Sequence, residues 1–267
     1  MTFSYSSQTV LITGASSGIG LQFAHALAAR GSSLVLVARR RDRLDSLAAE
    51  LRLDHGVTVD VLSADLSSPT AAADVRAGID ALGVTVTSLI NNAGFGTFGP
   101  FANEDPSRLG QEIAVDVTTP VQLTATLLPD LLTARNGLLI NVASMAAYTP
   151  TPRMAVYGAA KAFVLSFTES LWAELSGSGV TVFALSPGAT STEFNAVVGT
   201  EDATAGATPR TPTDVVTTAL THLESKNPGP SVIDGTANKF SATALRLVSR
   251  RSTARMMHRM TDPARRR

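Results

Sequence analysis

The 267-residue chain has no cysteine, which excludes disulfides and thiolate metal sites. Its four histidines (His25, His55, His222 and His258) are scattered without the spacing of a metal-ligand set. Net charge is absent too: 22 Lys and Arg balance 22 Asp and Glu, so the molecule as a whole has no field that would draw in nucleic acid. No apolar run approaches the roughly 18 residues a spanning helix needs. The opening "MTFSYSSQTVLITG" lacks a basic stretch followed by an apolar one, so no signal peptide is expected and a cytoplasmic location is. Charged residues are only 16% against 44% apolar, which argues against disorder and allows a large core. The charge is unevenly placed, however. From Leu245 onward there are eight arginines and one aspartate, so the rest of the chain is acidic.

What the chain does have is alternation. "TVLITG" (9–14), "SLVLVAR" (33–39), "VTVDVLSADL" (57–66), "SLINNAG" (88–94), "GLLINVAS" (137–144) and "VTVFALSPG" (180–188) read as buried strands. Helical patterns separate them at 19–31, 41–56, 69–82, in one long helix around 104–134, and at about 153–176. Aliphatic strands alternating with helices predict an α/β fold, a doubly wound parallel sheet with helices on both faces. A single domain over 1–267 is expected, with its core at 8–193. Residues 194–212 are rich in Ala, Thr and Gly without periodicity, which suits a loop covering a substrate or a plain surface loop. Over 241–260, Leu245, Val248, Met256 and Met260 recur at near-helical spacing among Arg246, Arg250, Arg251, Arg255 and Arg259. This predicts a basic amphipathic helix, packed over the site or a partner subunit, or lying on an anionic membrane surface.

"TGASSGIG" (13–20) ends the first strand and opens the first helix. Gly14 suits a tight turn, Gly18 close approach of a ligand, and Gly20 close packing of helix on sheet. The free N–H groups of that helix then face a pyrophosphate. The second strand ends in Ala38 and Arg39, where NAD-selective sites carry an acidic residue. Arg39, with Arg40 or Arg41 behind it, suits a 2′-phosphate, so NADP(H) is favoured over NAD(H). "NNAG" (91–94) follows the fourth strand; its small residues let the chain pass beneath a ligand, and its amides can tie strands together. Ser144 ends the fifth strand, and Tyr157 and Lys161 in "YGAAK" share one face of the next helix. Ligands of such sheets bind at the carboxyl ends of the strands, where Gly14, Asn92 and Ser144 all fall.

In their order and intervals, "TGASSGIG", "NNAG", Ser144, "YGAAK" and "PGATST" (187–192) resemble the short-chain dehydrogenase/reductase family over residues 8 to about 193. The glycine spacing resembles its short, reductase-type branch. The resemblance implies an NADP(H)-dependent oxidoreductase with a Rossmann-type fold, assembling as a homodimer or homotetramer. Tyr157 would be the general acid–base, Lys161 would lower its pKa and hold the nicotinamide ribose, and Ser144 would polarise the substrate carbonyl. Asp65 and Leu66 resemble the pair that contacts adenine. Thr190 and Thr192 resemble the residues that hold the carboxamide. Ser16, Ser17 and Ile19 of the glycine loop, with Asn92, Ala93, Gly94, Pro187 and Gly188, would line the rest of the cofactor.

Two departures stand out. The family usually places an Asn in the fourth helix to hold a proton-relay water, and "IAVDVTTP" offers Asp116 there. The chain also continues past the usual glycine-rich last strand with "GTANKFSATALRLVSRRSTARMMHRM", an ending that resembles ketoacyl-reductase or steroid-dehydrogenase-like members. The stretches expected near the pocket (95–101, 145–154 and 194–212) are mostly apolar, which points to a hydrophobic ketone or alcohol such as a 3-oxoacyl or steroid-like molecule. A second reading is a cofactor-sensing binding protein that does no chemistry. Such proteins can keep the glycine loop while losing Tyr or Lys, and both are present here.

Overall fold

The computed structural model describes residues 3–134, 136–200, 207–245 and 247–262. Seven strands form one sheet: β1 (Thr9–Thr13), β2 (Ser33–Ala38), β3 (Val59–Ser63), β4 (Ser88–Asn91), β5 (Leu138–Val142), β6 (Thr181–Ser186) and β7 (Ser231–Ile233). The spatial order is β3-β2-β1-β4-β5-β6-β7, and every pairing is parallel. The winding reverses between β1 and β4, which opens a crevice at the carboxyl edge of the sheet.

Parallel neighbours need crossovers, and helices supply them. α1 (Gly18–Ala28) and α2 (Arg41–His55) cover one face together with α8 (Pro212–Leu223). α3 (Ala71–Leu82) and α5 (Thr119–Thr133) cover the other. The two-residue period of a strand divides the core: Val10 and Ile12 of β1 point to the first face, Leu11 to the second, and all three are fully buried.

The periodicity predicts one helix around 104–134; the chain instead makes α4 (Pro106–Ile113), a wide π-type turn (Ala114–Thr118) and α5. The cause is Pro120. It has no N–H to give the Asp116 carbonyl four residues back, and its ring would crowd that carbonyl, so the helix widens there. Asp116 sits within the widened turn and is almost fully buried.

After β5 comes α6 (Ala155–Glu174), which carries Tyr157 and Lys161. A short helix, α7 (Phe194–Val198), starts within the stretch that lacks periodicity, of which residues 201–206 lie outside the described residues. Instead of one helix over 241–260 there are two, α9 (Thr236–Leu245) and α10 (Arg250–Met260). Ser249 caps α10 by accepting from the Ser252 N–H at 3.2 Å. Of the expected apolar face only Leu245 turns inward, where it lines a pocket. Val248, Met256 and Met260 are exposed, whereas Thr253 and Thr261 are buried and Met257 half-buried. Arg246 lies outside the described residues.

Candidate active site

The carboxyl ends of the strands open into a cleft with two halves. One, of about 300 Å³, runs along the glycine loop and the ends of β2 and β3. The other, of about 310 Å³, lies over the end of β5 and the start of α6. Ile19, Asn92, Gly94, Thr192 and Phe194 line both, so they form one continuous groove.

The glycine loop sets the first half. No side chain caps the first turn of α1, so its leading N–H groups face the groove. A Cβ at Gly20 would collide with the Gly14 carbonyl and the Asn92 amide, so only glycine lets the helix start this close to the sheet. Asn92 ties β4 to β1 by donating to the Thr13 carbonyl at 2.9 Å. The Ala93 N–H is held by Thr13 Oγ1 at 3.0 Å. Asp65 and Leu66 line the far end; Asp65 accepts from both the N–H and the hydroxyl of Ser67, which hold its carboxyl below the usual range. Such a groove, with open N–H groups at one end, fits a dinucleotide.

The arginines divide. Arg39 is exposed and lines the groove, and among the described residues its guanidinium makes no hydrogen bond or ion pair. Arg40 is engaged throughout. It donates to Ser16 Oγ (3.0 and 3.3 Å), to Ser17 Oγ (3.0 Å) and to Glu193 (2.7 Å). Arg41, the other candidate, turns away to pair with Asp45 at 3.1 Å.

The second half holds Ser144, Tyr157 and Lys161 together. Lys161 Nζ lies 3.1 Å from Asp116 Oδ2 and 5.5 Å from the centre of the Tyr157 ring, and donates to the Val142 carbonyl at 3.3 Å. Asp116 Oδ1 accepts the Phe95 N–H at 3.0 Å. A Cβ at Gly94 would stand 2.9 Å from Lys161 Nζ and 3.1 Å from Asp116 Oδ1, so this buried ion pair itself requires glycine in "NNAG". Burial disfavours the ammonium, but the Asp116 carboxylate, with Tyr157, more than offsets it and raises the Lys161 pKa.

Tyr157 differs from the expectation. Desolvation by the walls around it raises its pKa; the pull of Lys161 opposes this, and Asp116 opposes Lys161 in turn. The phenol is thus held protonated, not poised to ionise. Ser144 caps the short turn after β5, its Oγ accepting from the Ala146 N–H at 3.1 Å, and it also acts to lower the phenol's pKa.

The rest of this half is largely apolar. Met145 and Met154 come from the predicted 145–154 stretch, and Phe194, whose ring centre lies 5.3 Å from that of Tyr157, comes from the 194–212 stretch. From 95–101 none lines this half; Phe95 lines the other. Thr190 and Thr192 line the wall, and their hydroxyls bond local carbonyls at 3.1 and 3.5 Å. Pro187 and Gly188 complete it. Leu245, Met257 and Thr261 of the tail close the outer side, and Arg153 ties down the end of α10 through Asp262 at 3.1 Å.

Two residues escaped the sequence reading. Glu112 is fully buried one turn before Asp116. Burial outweighs hydrogen bonding from Thr97 and, with Asp116 and Glu104 nearby, pushes its pKa to about 7. Glu193 follows Thr192 directly and reaches across the groove to Arg40 and Arg43. Nothing in their spacing marks either one.

Comparison with known proteins agrees with the fold. A model of the short chain dehydrogenase family matches residues 8–203. A short chain dehydrogenase of Pseudocercospora fijiensis is 36% identical over 191 residues, 71% of this chain and 62% of that protein. A sulfoacetaldehyde reductase of Chromohalobacter salexigens is 40% identical over 194 residues, 70% of this chain and 74% of its own. A very-long-chain 3-oxoacyl-CoA reductase of Phaeosphaeria nodorum is 35% identical over 178 residues, 64% of this chain but only 52% of that protein. The chain thus spans less than two thirds of the first and third of these relatives. Among solved structures, a short-chain dehydrogenase from Sphingobium yanoikuyae in complex with NADPH is 35% identical with a TM-score of 0.79, over 90% of this chain and 93% of that one. A 7beta-hydroxysteroid dehydrogenase is 30% identical with a TM-score of 0.85, over 97% of this chain and 100% of that one. A relative from Burkholderia phymatum in complex with NAD is 25% identical with a TM-score of 0.78, over 90% and 93% of the two chains.

Proposed function

The chain belongs to the short-chain dehydrogenase family of oxidoreductases, and on that footing we propose that it is an NADP(H)-dependent carbonyl reductase acting on a hydrophobic ketone. The observation that carries this reading is the meeting of a protonated phenol (Tyr157), an ammonium (Lys161) and a hydroxyl (Ser144) in an apolar pocket that opens into the groove of the glycine loop. NADPH, when bound, supplies the hydride that reaches the carbonyl carbon. Ser144 orients the carbonyl oxygen. Tyr157 gives that oxygen its proton, which completes the hydroxyl, and Lys161 stabilises the phenolate left behind. Asp116 holds Lys161 in place and keeps the phenol basic. Because a raised pKa favours the proton-donating form, the site favours reduction over oxidation near neutral pH.

Arg39, exposed at the adenosine end beside Asp65, supports a 2′-phosphate and hence NADP(H) over NAD(H). Solved relatives are seen with NADPH and with NAD, so the family alone does not choose between them. The apolar lining supports a ketone with a bulky carbon skeleton, in the manner of the 3-oxoacyl and steroid substrates named for the relatives. The outer surface of the tail supports peripheral contact with an anionic membrane: Phe240, Leu247, Val248, Met256 and Met260 are exposed beside Arg250, Arg251, Arg255 and Arg259. Among the described residues no helix is long and apolar enough to cross a membrane.

The test is Tyr157→Phe assayed against a panel of ketones with NADPH. Turnover is expected to fall by about 10²-fold or more, with NADPH affinity kept. Near-normal turnover would overturn the role of Tyr157. Tight NADPH binding without turnover of any carbonyl by the unmodified protein would favour the cofactor-sensing reading.

A further inference from the structure

The groove's two walls are joined by one acid. Glu193 stands just before α7 on the β6 side, and its two carboxylate oxygens reach Arg40 (Oε2, 2.7 Å) and Arg43 (Oε1, 2.6 Å) on the α2 side. Arg40 is the same side chain that binds the Ser16 and Ser17 hydroxyls of the glycine loop. Arg40, which lines the groove, and Arg43 beyond it therefore already hold an anion, and that anion belongs to the chain.

We propose that Glu193 is a built-in competitor for the cofactor's 2′-phosphate, which must displace it from Arg40 and Arg43, so that Glu193 sets how strongly the chain discriminates NADP(H) from NAD(H). This rests on the NADP(H) reading above. Three features fit it. The carboxylate stands in for a phosphate: it is anionic and forked between two guanidinium groups. It is always charged, because hydrogen bonds from Arg43 and Arg40 pull its pKa down to about 2. And it is cheap to displace, since all three side chains are 40–46% exposed and exposed ion pairs contribute little. A phosphate of nearly two negative charges outcompetes a carboxylate of one, while a cofactor with a free 2′-hydroxyl leaves the bridge intact. Arg39, which interacts with Asp65 at a distance but is not bridged by Glu193, adds to affinity outside this competition.

The experiment titrates the purified full-length protein with NADPH, NADH, 2′,5′-ADP and ADP, following binding by calorimetry. The two ADP forms report on the adenosine end alone, without the nicotinamide and without activity. Glu193→Gln keeps the size of the side chain and removes its charge. It should tighten NADPH and 2′,5′-ADP by about three- to tenfold and change NADH and ADP by less than about twofold. Glu193→Asp, too short to hold both arginines, should fall between. Equal changes for all four ligands, or weaker 2′,5′-ADP binding, would make Glu193 a tether for α7 only and overturn the proposal. The two readings fail separately. If the unmodified protein binds 2′,5′-ADP tighter than ADP and Glu193→Gln adds nothing, the competitor is refuted and the cofactor reading stands. If the unmodified protein shows no preference but Glu193→Gln gains one, the native cofactor reading fails and the competitor stands.

Discussion

Asp116→Asn isolates the least usual feature of the site. Asp116 is buried, 3.1 Å from Lys161 Nζ, and its other oxygen accepts the Phe95 N–H. Asparagine can keep the Phe95 bond through its carbonyl oxygen, but its NH₂ then faces the ammonium, and the ion pair is lost. Two effects follow. First, Lys161 becomes a buried charge without its partner. Breaking such pairs costs about 3–5 kcal/mol, and the Val142 carbonyl offsets part of this, so urea denaturation should show a loss of about 3 kcal/mol. Second, the negative charge that opposes Lys161 at the phenol disappears. Asp116 Oδ2 lies 3.1 Å from Lys161 Nζ, which lies 5.5 Å from the centre of the Tyr157 ring, so the carboxylate is within about 9 Å of that ring. At an effective dielectric constant of about 20 that separation corresponds to about 2 kcal/mol, or about 1.5 pH units. The sign is fixed: removing a nearby negative charge favours phenolate, so the Tyr157 pKa falls. Alcohol oxidation needs phenolate, and its pH–rate profile should shift down by about one to two units. Carbonyl reduction needs the protonated phenol, which still dominates near pH 7 in both proteins, so its profile there should hardly move. The assay is the pH dependence of kcat/KM in both directions. Superimposable profiles would remove Asp116 from the chemistry and leave it a structural partner of Lys161.

Three further tests address other parts of the molecule. Arg39→Ala should weaken NADPH by about ten- to a hundredfold and leave NADH nearly unchanged in a fluorescence titration, and equal losses would make Arg39 only structural. Glu112→Gln tests a buried acid whose folded pKa, about 7, lies above its unfolded value. A raised carboxyl favours the folded state below the unfolded pKa, and that contribution is lost as pH rises through the folded one. Glu112→Gln should therefore gain stability relative to the unmodified protein between about pH 4.5 and pH 7, by up to about 3 kcal/mol at pH 8; a pH-independent difference in urea denaturation would refute this. Deleting residues 250–267 removes Met257 and Thr261 from the pocket wall, and should raise KM for bulky ketones about tenfold, keep NADPH affinity, and abolish salt-sensitive binding to anionic vesicles. A truncated protein that fails to fold would instead make α10 part of the core.

Six of the seven strands were legible because they are mainly aliphatic and their helices are punctuated by glycine and proline, signals that act within a few residues; the three-residue β7 was too short to show. Ser144, Tyr157 and Lys161 were legible because topology converts their spacing into a shared place at the carboxyl edge. What escaped needed partners from distant segments. The wide turn at Ala114–Thr118 has a local cause, Pro120, but its effect is to bury Asp116 against Lys161 of another helix and against Gly94. The tail misled because its heptad-like spacing mixes residues from two helices. The break at Ser249 turns Met257 and Thr261 inward and leaves Met256 and Met260 outside. Glu193 marks the limit most sharply. In sequence it is one acid after a threonine, 150 residues from Arg43 and 153 from Arg40. The winding of the sheet brings the ends of β2 and β6 to opposite walls of one groove, and only there does an exposed glutamate become an anion placed where a cofactor's phosphate would go. Local pattern therefore fixes which chemistry the groove can hold, while long-range closure decides what that chemistry must compete with.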